Sequence, residues 1–190
     1  MENGKIYKCF IASPSDVKAE RDACDEIVSS INRTIASKLN MQLRVVRWET
    51  DAHPAIGADG QEVINEQLHP EDADFFIGIF WSRFGTPTPR ANSGSEEEFE
   101  RAYTQWQKTK SNKILFFFKT EKLPVDVDTK QLDKVQAFRD KISACGCFYK
   151  QFGDLEQFKR DLQEALTAEL MQFVKNASEK SEHDHAELMH

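Results

Sequence analysis

Two unbroken apolar runs, Phe75-Phe76-Ile77-Gly78-Ile79-Phe80-Trp81 and Ile114-Leu115-Phe116-Phe117-Phe118, constrain this chain more than any other feature. A strand with one wet face alternates apolar and polar residues, whereas a strand covered on both faces reads as a continuous run, the habit of parallel sheets. Three further strand-like segments accompany them: Lys5–Ala12, Gln42–Glu49 and a weaker edge segment, Cys147–Phe152. Helical patterns separate the five. One opens at Ser15-Asp16 and carries Val17, Cys24, Ile27, Val28, Ile31 and Ile35 on one face. A short one, Gln61–Leu68, stops at His69-Pro70, because proline disfavours helix in the residue before it. The others start near Ser95, Thr129 and Leu155, the last with Phe158, Leu162, Leu166, Leu170 and Phe173 in register. Parallel neighbours require crossovers, so strict alternation predicts an α/β fold with a five-stranded, mostly parallel sheet and helices on both faces. At 190 residues the chain suits one domain, expected over 1–176; residues 177–190, polar and without period, read as a disordered tail or the start of a linker.

Several function classes are excluded by what the sequence lacks. A net charge of −7 without a Lys/Arg cluster argues against a nucleic-acid binder held by phosphate contacts. The apolar runs fall far short of the ~20 residues that span a bilayer, and Met1-Glu2-Asn3-Gly4-Lys5 is no signal peptide, so a cytoplasmic protein without membrane contact is expected. Cys9, Cys24, Cys145 and Cys147 fit neither a disulfide framework nor a zinc pattern, and three of the five histidines fall in the last eight residues, so no metal site is expected. Neither G-x-G-x-x-G nor a P-loop follows any strand, which removes dinucleotide oxidoreductases and P-loop NTPases.

In an open α/β sheet, ligands bind outside the carboxyl ends of the strands. That edge offers Ser13, Ser15, Asp16, Trp48, Glu49, Trp81, Ser82 and Arg83, and across a loop the segment Ser93-Gly94-Ser95-Glu96-Glu97-Glu98-Phe99-Glu100-Arg101-Ala102. Ser95 precedes Glu98 by three residues, a capping-box spacing, with Glu96, Glu97 and Glu100 as surface acids. Arg83 is either an anchor for a phosphate or ribose or one half of a salt bridge; Trp48 and Trp81 are packing aromatics or stacking surfaces for a base. Arg21 stands near the same edge, able to hold Asp16 or a ligand. Glu98 is a helix-surface acid or a pocket carboxylate. A lone carboxylate can stabilise an oxocarbenium-like ribosyl centre when the leaving group is already cationic, as nicotinamide is in NAD+, with no metal or histidine.

The chain resembles the bacterial TIR-like domain family, relatives of Toll/interleukin-receptor domains that commonly precede STAND-type NTPase or repeat regions. The resemblance rests on Phe10-Ile11-Ala12-Ser13-Pro14-Ser15-Asp16-Val17 with Glu20-Arg21, on Trp48-Glu49 with Pro54, Gly57 and Gln61, on Asp74–Trp81 with Arg83-Phe84-Gly85-Thr86-Pro87-Thr88, and on Ser93-Gly94-Ser95 with Glu98 and Ala102. It implies a flavodoxin-like TIR fold and an NAD+ glycohydrolase in which Glu98 is catalytic, with Ser13, Asp16, Arg21, Trp48, Trp81, Arg83 and Ser95 around the substrate. It further implies an effector role in bacterial anti-phage defence, activation by self-association, and a C-terminal sensor or NTPase/repeat partner domain. Nucleoside deoxyribosyltransferases carry a similar Gly-Ser/Thr-x-x-Glu segment, matched here by Gly94–Glu98. Ribosyl transfer and a non-catalytic TIR-like interaction module are therefore the alternatives.

Overall fold

The computed structural model describes residues 4–187, with side chains to 175. Five parallel strands form one sheet in the order β2-β1-β3-β4-β5: β1 (Lys5–Ala12), β2 (Met41–Val46), β3 (Phe75–Phe80), β4 (Lys113–Lys119) and β5 (Tyr149–Phe152). This 2-1-3-4-5 order is the flavodoxin-like one, with its topological switch point between β1 and β3. Among the described residues five α-helices connect the strands, α1 (Lys18–Thr34), α2 (Trp48–Asp51), α3 (Gly60–Leu68), α4 (Gly94–Thr109) and α5 (Thr129–Ala144), and a sixth, α6 (Leu155–Glu187), follows β5.

Period-two alternation sorts the strand side chains into two cores. Tyr7, Cys9, Ile11, Phe75, Ile77, Ile79 and Phe117 pack against α1 and α6. Phe10, Phe76, Phe80, Phe116 and Phe118 face α3, α4 and α5 through Leu68, Phe99, Val135, Phe138 and Ile142. The second core is largely phenylalanine, with Phe138 of α5 5.2 Å from both Phe80 and Phe84 and 5.6 Å from Phe99, ring centre to ring centre. The helix from Thr129 starts where the sequence places it, because the Asp128 carboxylate accepts from the backbone of Lys130 and Gln131.

The second strand is shorter than the sequence suggests. Pairing with β1 ends at Phe10 and Val46, after which the Arg47 guanidinium bonds Asp22 and Asp25 of α1, both at 3.0 Å, and the chain turns into α2. Trp48 and Glu49 thus leave the sheet instead of extending it. The last helix runs on to Glu187, past the point near Asn176 where its apolar stripe ends; alanine, glutamate and lysine favour helix without an apolar period. Residues 188–190 of the expected tail lie outside the described residues. No described helix is long and apolar enough to cross a membrane.

Candidate functional site

The two loops that leave β1 and β3 part at the switch point, and a cleft of about 280 Å³ opens between them. Ser13, Pro14 and Ser15 form one wall and Arg83, Phe84, Gly85 and Thr86 another; Trp48, Gln61, Ile64, Gly94, Ser95 and Glu98 complete the lining. Two anchors set the β3 loop. The Asp16 Oδ2 atom accepts from the backbone N–H of Ser82 and Arg83, 2.9 Å each, and from the Ser82 hydroxyl at 3.0 Å. Gln131 Oε1 accepts from the N–H of Phe84 at 2.8 Å and Gly85 at 3.0 Å. Gly85 has φ +104, where any side chain would be strained.

Helix α4 delivers Glu98. Its N-cap is Ser93, not Ser95: the Ser93 hydroxyl accepts from the Glu96 N–H at 3.1 Å, and the Glu96 carboxylate reaches back to the Asn92 N–H at 2.9 Å. Both Ser93 and Ser95 stand three residues before a glutamate, so spacing alone does not choose between them. Capping at Ser93 leaves Ser95 free to line the cleft and places Glu98 on the inner side of the second turn.

Glu96 and Glu97 are also buried, at 5% exposure each, which corrects their reading as surface acids. Partners from the preceding loop, α3 and α5 take them in. Burial disfavours charge on Glu96, but Lys141 at 2.8 Å and two bonds from Asn92 outweigh it and hold the carboxyl below its ordinary range. Glu97 accepts from Arg90 Nε at 2.6 Å, Thr88 Oγ1 at 2.7 Å and Asn65 Nδ2 at 2.7 Å. Arg90 also grips Asp59, the N-cap of α3, through two bonds of 2.7 and 3.1 Å, so one arginine ties the β3–α4 loop to both helices.

Glu98 is 4% exposed, and among the described residues it has no ion pair. The only hydrogen bond to its carboxyl among the described residues comes from Gln61 Nε2, at 3.1 Å to Oε1. Burial pushes its pKa from the ordinary 4.5 to about 8; the Gln61 bond opposes that shift, and the charges of Glu97 and Glu49 add to it. Gly94 makes this arrangement possible, since a Cβ there would lie 2.2 Å from Gln61 Oε1.

Of the residues singled out from the sequence, Ser13, Ser15, Trp48, Arg83, Ser95 and Glu98 meet at the cleft. The Arg83 guanidinium makes no ion pair or hydrogen bond among the described residues, which removes its salt-bridge reading. Arg21 stands behind the wall: its guanidinium donates to the Ser13 hydroxyl and the Pro14 carbonyl, 2.8 Å each, and pairs with Glu49 at 2.7 Å. Asp16 is likewise a loop anchor, not part of the lining. Trp81 does not reach the cleft; its ring packs on the α1/α6 side under Lys119 Nζ, 4.7 Å from the ring centre, and its indole N–H donates to the Glu121 carbonyl. Trp106, on α4, stacks on Tyr103 and lies 3.3 Å below Lys110 Nζ. Gln61 escaped the site assignment because its bond to Glu98 spans 37 residues. A hollow of about 320 Å³ at the opposite edge of the sheet, lined by Tyr103, Trp106, Cys147 and Phe148 among others, holds no buried carboxyl. Among the described residues no His/Cys/Asp/Glu group is placed to hold a metal ion.

The fold and cleft define a flavodoxin-like α/β domain with a buried carboxyl at its switch point. Its sequence matches the domain of unknown function DUF4062 over residues 8–167, and the chain belongs to that family. No curated protein sequence matches it. A conserved protein from Enterococcus faecalis V583, known from its crystal structure, is similar over 82% of this chain and 99% of its own, at 13% identity and a TM-score of 0.41. Homoserine dehydrogenase from S. aureus at pH 7.5 is similar over 78% of this chain and 32% of its own, at 9% identity and a TM-score of 0.34.

Proposed function

We propose that this chain is an NAD+ glycohydrolase that cleaves the nicotinamide–ribosyl bond with Glu98. The observation that carries the reading is the contrast within the cleft: a buried carboxyl with one neutral donor faces the same space as an unpaired Arg83 and a half-exposed Trp48. A carboxyl strongly perturbed by desolvation and sitting in a cleft is a candidate functional group. At about 280 Å³ the cavity lies just below the usual range of ligand pockets, ~300 to 1,000 Å³. It suits the nicotinamide riboside half of the dinucleotide, with the diphosphate at Arg83 and a ring against Trp48.

The chemistry asks little of the protein. Near neutral pH Glu98 holds a proton, and a pyridinium ring beside it favours the carboxylate, so substrate binding releases that proton. Nicotinamide departs with the electron pair of the C1′–N bond, which neutralises its ring. The carboxylate stabilises the positive charge left on the ribosyl centre, water adds at C1′, and its proton passes to Glu98 and then to solvent. Through its resemblance to bacterial TIR-like domains the reading extends to an anti-phage effector switched on by self-association, so specific activity rises with protein concentration and with crowding.

The test is NAD+ consumption at high protein concentration, with and without a crowding agent, beside Glu98→Gln. Loss of NAD+ with the parent alone supports the assignment, and equal rates from the two proteins overturn it. One observation favours a second reading, ribosyl transfer from a neutral nucleoside: a protonated Glu98 can give its proton to a leaving base. The two differ in pH dependence. Glycohydrolase kcat/KM rises tenfold per pH unit up to about 8 and then levels, while acid-assisted transfer is flat at low pH and falls above that point.

A further inference from the structure

We propose that Gln61 is a positioning residue that presents a hydrogen-bond donor to one oxygen of Glu98 and leaves the other for the reaction. The inference deepens the NAD+ reading and takes from it only that Glu98 is the reacting group. It stands on a chain of bonds whose direction is fixed from its far end. Glu97 is clamped by Arg90 and Thr88, and an ionised carboxylate only accepts, so the buried Asn65 must turn Nδ2 toward it, at 2.7 Å. Asn65 Oδ1 then faces its helix neighbour Gln61, and an oxygen there demands a donor, which Gln61 Nε2 supplies at 3.1 Å. The second hydrogen of the same Nε2 points to Glu98 Oε1, also at 3.1 Å. Flipping the Gln61 amide would set its oxygen against Asn65 Oδ1, an acceptor whatever the protonation of Glu98, so the orientation follows from the network. The other half of the amide is placed by absence: Gln61 Oε1 occupies the space a side chain at Gly94 would need, 2.2 Å from where its Cβ would be.

The consequence is electrostatic as well as geometric. A neutral donor on Oε1 favours the carboxylate over the acid, against the burial that favours the acid. A cation in the same place would have ionised Glu98 permanently and competed with a cationic substrate. An amide moderates the carboxyl without neutralising its attraction for a positive ring.

The test uses Gln61→Met, which keeps length and bulk and lacks the donor, and Gln61→Leu as a second shape. Glu98 is followed directly by carbon NMR of protein labelled at the glutamate carboxyl carbon, with the signal assigned through Glu98→Gln, and NAD+ turnover is measured across the same pH range. A hydrogen bond to a charged group is worth about 1–2 pH units. The Glu98 midpoint should therefore rise by about that much in both variants, with the kcat/KM profile moving upward in step. At pH 7 turnover falls about 10- to 100-fold and recovers in alkali. A midpoint within 0.3 units of the parent in either folded variant overturns the inference, as does a uniform loss of activity without movement of the profile. If the parent consumes no NAD+, the glycohydrolase reading falls while the NMR titration still decides the role of Gln61.

Discussion

Glu97 and Glu98 are consecutive, both within the first turns of α4 and almost equally buried, yet they belong to different regions. Around Glu97 the protein is closed: an arginine, a hydroxyl and an amide converge on one carboxylate, and the same arginine holds Asp59 across the loop. Around Glu98 it is open, with one amide and a cleft. Burial alone therefore does not distinguish a structural acid from a reactive one. What distinguishes them is whether a cation compensates the lost hydration, and at Glu98 none of the described residues does.

Four predictions break or sharpen this contrast. Glu98→Gln should lower NAD+ turnover by at least about 10³-fold without loss of fold by circular dichroism, since it removes the reacting group and no structural pair. Next comes the dependence of stability on pH. Because Glu98 titrates higher in the folded chain than in the unfolded one, its contribution is complete below about pH 4.5 and lost as pH rises through about 8, on the order of 4–5 kcal/mol in all. In urea unfolding, the advantage of Glu98→Gln over the parent should accordingly grow between pH 5 and pH 9; a constant difference would contradict the uncompensated burial of Glu98. Glu97→Ala should do the reverse of Glu98→Gln, costing about 1–3 kcal/mol by stranding Asn65, Thr88 and Arg90. Unchanged unfolding in that variant would erase the distinction between the two acids. The smallest effect is Arg83→Ala, whose side chain holds nothing in place: KM for NAD+ rises about tenfold, as loss of one charged hydrogen bond predicts, with the melting temperature unmoved.

Much of this was legible in the chain because it is local. Continuous apolar runs at Phe75–Trp81 and Ile114–Phe118 revealed a buried parallel sheet, and the capping-box spacing within Ser93–Ala102 located, to within two residues, the start of the helix that carries Glu98. What was not legible depends on partners distant in sequence. Lys141 holds Glu96 from 45 residues away and Asn65 holds Glu97 from 32, and no periodicity announces them. Asp16 looked like a helix-start acid and proved to be the anchor of a loop 66 residues away. Trp48 and Trp81 looked alike as strand-end aromatics, but the edge strand β2 has one neighbour and lets the chain turn at Arg47 into the cleft, whereas β3 is central and keeps Trp81 on the far side.

That separation of the tryptophans gives the protein an optical reporter. Trp81 and Trp106 each lie beneath a lysine ammonium, away from the cleft, so their environments are insensitive to what occupies it. Trp48, 48% exposed on the cleft wall, carries the part of the intrinsic emission that a bound ring would quench or shift. Titrating the unlabelled chain with nucleotides and following emission, with Trp48→Phe as the blank, reads occupancy of the cleft even where no bond is broken.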